Sequence, residues 1–449
     1  MIERPTLRSL VSAGFAALAL AVCAGSCGTT EVPVFLSLAS GVGGMLGSDG
    51  AAGGAVPDAS SPTNVPPSLG TQQEFCDGTG PPVLVDSTAD GGPMATCPDD
   101  LAQRAFRYAL CICDNYVSDH ALFTDAFDGS QGAYDASTAT AGGSVGVNGS
   151  LHPSGPMHVN GSLWASNMTT VTTSSVFVAG ELHAQGEVRP TADPSIMADA
   201  LYVQADAWLA GGLQTQGSVT IKGTLHVPKG QPILPGMPFT HGLTDDTPFT
   251  VQPACDCEAD HLVDIAGVVA TYEPTVNNDD VALNVPDPEN LLYNIQTDFA
   301  MTLKCGRFFL TRIVANQARI ELTIDGHVAI FVKGDISTGD FVVHVPPGSE
   351  LDLFVGGNVT VGGAFLVGDM TNPARARTYV GGSTVLLEGG AFLAGNLYAP
   401  HATITLGASA PTTLLGAIFA EGINVSANLT IHYYEAILSP SSTRACSAP

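Results

Sequence analysis

The chain has 449 residues, of which 45% are hydrophobic and only 13% charged, with 42 acidic against 15 basic side chains and a formal charge of −27. Such a charge repels phosphate backbones and anionic lipid surfaces, which excludes nucleic acid as a natural partner. It leaves a divalent cation such as calcium open, although an acidic surface more simply keeps an exported protein soluble. With 51 glycines, 30 prolines and few aromatic residues, the composition is that of a turn-rich, β-rich secreted chain.

Residues 1–26 have the three parts of an export signal. Arg4 and Arg8 supply a basic start, Val11 to Val22 a short apolar stretch, and Ala24-Gly25-Ser26 the small residues before a cut. The apolar stretch is too short for a permanent span, so cleavage is expected. Ala-Gly-Ser-Cys resembles a bacterial lipobox, in which the cysteine after the cut is acylated. Cys27 is the expected lipidation site; Cys23 is the rival, with Val22 where a small residue is wanted. An ordinary secretory signal is the alternative. Acylation would tie the chain to a lipid bilayer at about 0.8 kcal/mol per buried methylene. Residues 27–75, rich in Gly, Ala, Ser and Pro, read as a lipid-anchored flexible tether, with one apolar patch at 32–46.

Residues 76–140 read as a cysteine-bearing helical cap. After Cys27 come Cys76, Cys97, Cys111, Cys113, Cys255, Cys257, Cys305 and Cys446, an even set that in an exported chain predicts four disulfides with open connectivity. Leu101, Ala105, Tyr108, Ile112 and Tyr116 fall on one stripe and predict a helix from Asp99 to Tyr116. Thr96 with Asp99 resembles a capping box, and Pro98 suits the first turn. Two residues apart on a helix means about 200° of rotation, so Cys111 and Cys113 are expected to find separate disulfide partners rather than one zinc or copper ion. The helix is expected to cover an open end of the β structure that follows.

Val147-Asn148-Gly149-Ser150-Leu151 then recurs as Val159-Asn160-Gly161-Ser162-Leu163, with looser copies at 178–182 and 221–225. Residues 327–336, 351–368, 380–407 and 414–431 repeat the same grammar of short aliphatic alternation and glycine corners. Such strokes suit a sandwich, barrel or solenoid, and self-similarity without regular Asn-Gly hairpins favours the solenoid. The expected fold is mainly β, a right-handed parallel β-helix with a disulfide-linked N-terminal helix; a β-sandwich is the alternative. At roughly twenty residues per coil, a first block over 141–230 holds about four or five coils. An irregular insert follows over 231–300, with a short helix expected near Asp260–Ile265. A second block and C-terminal closure fill 301–449, with about six coils between 320 and 435.

Cys305-Gly306-Arg307-Phe308-Phe309-Leu310, Gly395-Asn396-Leu397-Tyr398-Ala399-Pro400-His401-Ala402, Leu415-Gly416-Ala417-Ile418 and Ile431-His432-Tyr433-Tyr434 resemble an uncharacterised β-solenoid family of bacterial cell-surface lipoproteins and pilus-associated proteins. The cysteine-bearing helix and Cys255-Asp256-Cys257 are similar too, so the resemblance covers most of residues 97–446. It implies a surface location and a structural or adhesive part without enzymatic activity. The family's ending carries an acid directly after His-Tyr; here Tyr434 intervenes before Glu435. A weaker architectural similarity to bactofilins, which polymerise through solenoid ends, implies self-association.

Parallel β-helices also host polysaccharide lyases and glycosidases, whose chemistry needs paired carboxylates across a cleft or a strong base with cation help. Asp245-Asp246 and Asp279-Asp280 sit in turn-like loops, where Asp is common. Asp325, Asp335, Asp340 and Asp352 lie on the solenoid flank and read as turn carboxylates. Arg307, Arg312 and Arg319 are the basic residues spaced to share a face, or else structural partners for Asp. Aligning Gly-x-Leu corners puts His152, Trp164, His183 and His226 one residue after the leucine, on the outer face, as a ladder able to bind metal or stack on sugar. An ordinary surface row is the plainer reading. Asn148, Asn160, Asn358, Asn424 and Asn428 open Asn-x-Ser/Thr triplets and read as turn asparagines. Metalloprotease, hydrolase, phosphate-loop and EF-hand motifs are absent, so no cofactor is expected. The leading expectation is a non-catalytic envelope scaffold that adheres or self-associates. A polysaccharide-active enzyme or carbohydrate-binding module is the runner-up.

Overall fold

The computed structural model describes residues 70–79, 83, 85–86, 95–96, 98–167, 171–173, 175–191, 199–273, 276, 278, 286–407 and 410–438. The leader, most of the tether, Cys23, Cys27, Cys97, Cys446, Asp279 and Asp280 lie outside the described residues. Strand accounts for 46% and helix for 10%, and the strands form a parallel β-solenoid of about 12 turns. The strand pairs of the stack are parallel, as in Leu163↔Leu182 and Leu353↔Thr378. The antiparallel pair Val85–Asp86 with Ala95–Thr96 forms a separate two-stranded sheet. A β-sandwich, built from antiparallel sheets, does not describe this arrangement.

Many strands of the first block are three residues long with the outer two buried, as in Leu163–Ala165, Leu182–Ala184 and Val219–Ile221. Alternation sends those two side chains into a narrow three-sided bore and the middle one out. Burying each Val, Leu or Ile contributes about 1.5–3 kcal/mol. Corners bring backbones together. A Cβ on Gly149 would meet the carbonyl oxygen of Asp114, one coil below, at 1.8 Å. Side-chain oxygens then take up corner N–H groups of the adjoining coil. Asp206 accepts from Thr224 at 2.6 Å, Asp335 from Asn358 at 2.8 Å and Asp340 from Ala364 at 2.8 Å. Asn358 in turn accepts from Thr384 at 3.0 Å.

The coils do not stack in chain order. The lowest begins with Phe299–Leu310, and the chain winds upward through Arg319–Val332, Glu350–Val355, Ala376–Val380 and Ala391–Leu406 to Thr412–Val425. The next coil is composite. One face is Leu429–Tyr434, and the other two are Leu110–Ile112 and Tyr116–Ser118, which all pair with Thr412–Val425. Leu122–Phe127 then lies on Leu429–Tyr434, and the first block climbs from there to Thr244–Asp245 at the top. The described residues between 246 and 298 return from top to bottom along one flank. The stack is therefore wound as if the chain began at 299, ran to 434 and resumed at 110.

Several expectations need correction. The helix at 99 is short: α-helix Pro98–Ala105 stops, and Leu110–Ile112 is already a strand, because Leu110, Cys111 and Ile112 are all buried in the composite coil. It packs at the waist of the stack beside the turn Glu435–Leu438 and does not cover an end. The element at an end is a different helix, Gln72–Asp77, placed partly in the expected tether. The insert is not irregular throughout, since Ile233–Leu234, Phe239–Thr240 and Thr244–Asp245 form the top coil. Its helix runs Ile265–Tyr272, starting where the expected one ends, with Asp264 as N-cap. Arg307, Arg312 and Arg319 do not gather: Arg307 lies over Phe75, Arg312 over Tyr293, and Arg319 pairs with Glu321 at 2.9 Å.

Candidate functional site

One outward position, repeated on the same face of each coil, runs the height of the stack. From the bottom it reads Phe309, Phe331, Phe354, Tyr379, Tyr398, Phe419, Cys111, Gly146, Trp164, His183, Trp208, His226 and Asp245. Three of the four expected ladder residues, Trp164, His183 and His226, stand in it. His152 does not. It sits in Leu151–Pro153, in register with Val117 on the next face, because the repeat containing it is one corner further along the coil. Trp208 takes the missing place. The corner alignment passed over it because Ala207, not leucine, precedes it.

The upper rings stack closely: Trp164 on His183 at 3.5 Å and 4°, His183 on Trp208 at 5.8 Å and 6°, Trp208 on His226 at 3.5 Å and 4°. His183 bonds Glu181 at 2.8 Å, and His226 Nδ1 bonds Asp245 at 3.0 Å. Burial lowers the His183 pKa below the ordinary histidine value against the opposing pull of Glu181. Trp208 Nε1 and His226 Nε2 are buried without a hydrogen-bond partner. Parallel rings on a common axis cover one another's faces and turn only edges outward. A sugar stacks on an aromatic face, so this column is a poor platform for one.

The return segment also covers the column. Phe249 meets Trp208 edge-on at 5.3 Å, and Val251 N–H donates to Gln185 at 2.7 Å. Cys255 and Cys257 are disulfide-bonded to Cys111 and Cys113. Each thus has its own partner, but for a reason other than helical divergence: two strands-worth of chain lie side by side. Asn148 clamps the same stretch, donating to the Cys255 carbonyl at 2.7 Å and accepting from the Ala254 and Cys255 N–H groups. Lower down, the Val263 N–H donates to the Tyr398 hydroxyl at 3.1 Å, Tyr272 stacks on Phe331 at 4.3 Å, and Asn278 bonds both backbone groups of Phe309. Burial pushes the Tyr398 pKa up to about 12.

A second column, outside the expected ladder, holds Phe123, His158, Phe177 and Tyr202, half-buried on another face, with centroids 5.1, 4.2 and 5.3 Å apart. Its signal was the middle residue of Met-His-Val, Val-Phe-Val and Leu-Tyr-Val.

Two buried acid clusters lie elsewhere. At the composite coil, Asp125 accepts from His432 Nδ1 at 2.7 Å and from the Tyr134 hydroxyl at 2.8 Å, while Tyr134 stacks on the imidazole at 3.6 Å. The dyad thus ties Leu122–Phe127 to Leu429–Tyr434 across the seam between the two blocks. In the lower block Asp352 is 2% exposed and bonds Arg377 at 2.6 Å and His327 at 3.0 Å. Burial alone would raise its pKa, but Arg377 and His327 overcome that and hold it well below the usual carboxylate range. The expected flank acids Asp335 and Asp340 are the corner acceptors described above. Glu258, Asp260 and His261 are near enough to one another for a cation, but all are exposed and His261 is bonded to Asp256 at 2.7 Å.

Residues 259–439 match a domain of unknown function, DUF7305. No curated protein and no solved structure matches the chain. The DUF7305 region holds the lower return segment, the lower coils and Leu429–Tyr434. It does not close a stack by itself, because Leu110–Ile112 and Tyr116–Ser118 complete its last coil.

Proposed function

We propose that the chain is an exported, envelope-attached scaffold with no catalytic role, serving structure or adhesion. The observation that carries this is how its ionisable groups are used. Asp206, Asp335 and Asp340 hold corner N–H groups, Asp352 is paired inside the stack, and Asp125 with His432 fastens the composite coil. Glycoside cleavage needs two carboxyls left facing substrate, roughly 5–10 Å apart. The disulfides Cys76–Cys305, Cys111–Cys255 and Cys113–Cys257 suit an oxidising compartment and so support export. The resemblance to bacterial surface lipoproteins and pilus-associated proteins, and attachment to the bilayer through Cys27, belong to the same reading. Mass spectrometry of the mature N-terminus should find a diacylglyceryl cysteine at Cys27, and protease treatment of whole cells should cleave the chain. A cytosolic pool with free thiols, or depolymerisation of a neutral or acidic glycan by purified protein, would defeat the proposal.

A further inference from the structure

We infer that the top of the stack is a self-association surface, on which a second copy of this chain docks end to end to give a closed dimer. Among the described residues, the top coil pairs on one side only. Ile233 is in register with the buried Leu213, and Phe239 with the buried Val219, so both occupy core positions with no coil above them. Ile233 is 36% exposed, Leu234 57%, Leu243 78% and Met237 84%. These four are among nine exposed large apolar side chains in the described residues, so one coil gathers four of the nine.

The bottom is built differently. There the carboxamides of Gln72 and Asn278 act as a substitute strand. Gln72 bonds the N–H and carbonyl of Arg307 at 2.9 and 3.1 Å, and Asn278 those of Phe309 at 2.8 and 2.6 Å. With the edge satisfied at Arg307 and Phe309, with Phe308, Phe309 and Leu310 buried, and with the polar Thr302 and Lys304 exposed on the rest of the strand, the bottom does not match the apolar top of another copy. That mismatch disfavours open-ended head-to-tail growth. Top against top remains, a two-fold contact in which each copy offers the same patch.

Charge favours a like partner at this place. Two chains of −27 repel, yet from Gly230 to Thr244 there is no Asp, Glu, Lys or Arg. Apposing two such stretches desolvates no fixed charge within them, and the charge that closes the coil, Asp245, is already held on the flank by His226 at 3.0 Å. Pro232, Pro235 and Pro238 lack the N–H groups that strand addition would use, so side-chain packing, not an extended ladder, makes the contact. One coil's cross-section is a small interface, of the class below about 1,200 Å² that gives reversible complexes.

This deepens the scaffold reading by naming one partner, and it fails separately, since its readout is association and not location or catalysis. Sedimentation velocity of the full chain over a wide concentration range should show a monomer–dimer equilibrium. Met237→Asp with Leu243→Asp, at positions already exposed, should preserve the thermal melt and weaken association about tenfold or more. Leu366→Asp, an exposed apolar residue on a flank, should leave it unchanged. Monomer at every concentration, indefinite growth, a dimer broken by Leu366→Asp but not by the double substitution, or binding to neutral phosphatidylcholine vesicles in place of self-association would overturn the inference.

Discussion

At Gly146 the outward column has no side chain, and the return segment uses the space. A Cβ there would lie 2.8 Å from the Ala254 Cβ and 3.1 Å from the Cys255 Sγ. Gly146→Val should therefore cost about 1–3 kcal/mol through overpacking, read as a lower Tm with faster amide exchange over residues 250–257. His158 and His183 give the stack an acid limb. Burial, the first cause at both, lowers their folded pKa values below 6.5. The unfolded chain then binds protons first as pH falls, so the stability is present above about 6.5 and is lost below it. His158→Phe should shrink the drop in Tm between about pH 8 and about pH 5; an unchanged drop would remove His158 from the account. Asp352 titrates far below that window and does not contribute to it. Asp352→Asn should still cost about 3 kcal/mol, the lower end for a broken buried pair, because Arg377 keeps 22% of its side chain in solvent. At this scale the sequence was partly readable. Leucine-then-outward-residue found Trp164, His183 and His226, since period two is local. It misplaced His152 because three corners per coil look alike in sequence, and only register tells which face a corner begins.

The elements show where local pattern stops informing. Leu101, Ala105, Tyr108, Ile112 and Tyr116 satisfy helical spacing, yet the chain leaves the helix after Ala105. Strand pairing with Thr412–Val425, about three hundred residues away, outweighs a propensity worth at most about 1 kcal/mol per residue. The short glycine-cornered strands were readable because each carries its own signal. The return segment was not, because what orders it is the column it covers. Its two disulfides are redundant by loop arithmetic: either one closes 144 residues, and the second then adds only a short loop. Removing Cys113–Cys257 alone should change the urea midpoint little, whereas removing both bridges should cost about 2–4 kcal/mol. Equal, additive losses would show that each bridge acts through local packing instead.

For the whole molecule, the order of coils matters more than their number. The composite coil draws strands from both ends of the described chain, so neither block has a finished core without the other. Deleting residues 429–438 uncovers Leu122, Ala126 and Leu414, buried to 1% or less. That deletion should abolish cooperative unfolding in both blocks, seen as loss of a single calorimetric transition; an intact transition for the upper block would refute the coupling. The sequence announced a solenoid but not this permuted winding, since coils of one grammar stack equally well in either order. Only distant pairs such as Cys76–Cys305 hint at it, and cysteine connectivity is not encoded in spacing.

The winding also sets how the molecule meets a pull. Backbone hydrogen bonds between parallel coils lie nearly along the stack, so stretching it would open them one after another, like a zip. The described residues of the return segment follow the same stack and are riveted midway at Cys111 and Cys113. Tension between the top and the waist would pass into residues 246–254 before the upper coils could peel. A tug arriving through Gly70 would enter the first coil at Cys305 and Arg307, where Cys76 and Gly70 are fastened to it.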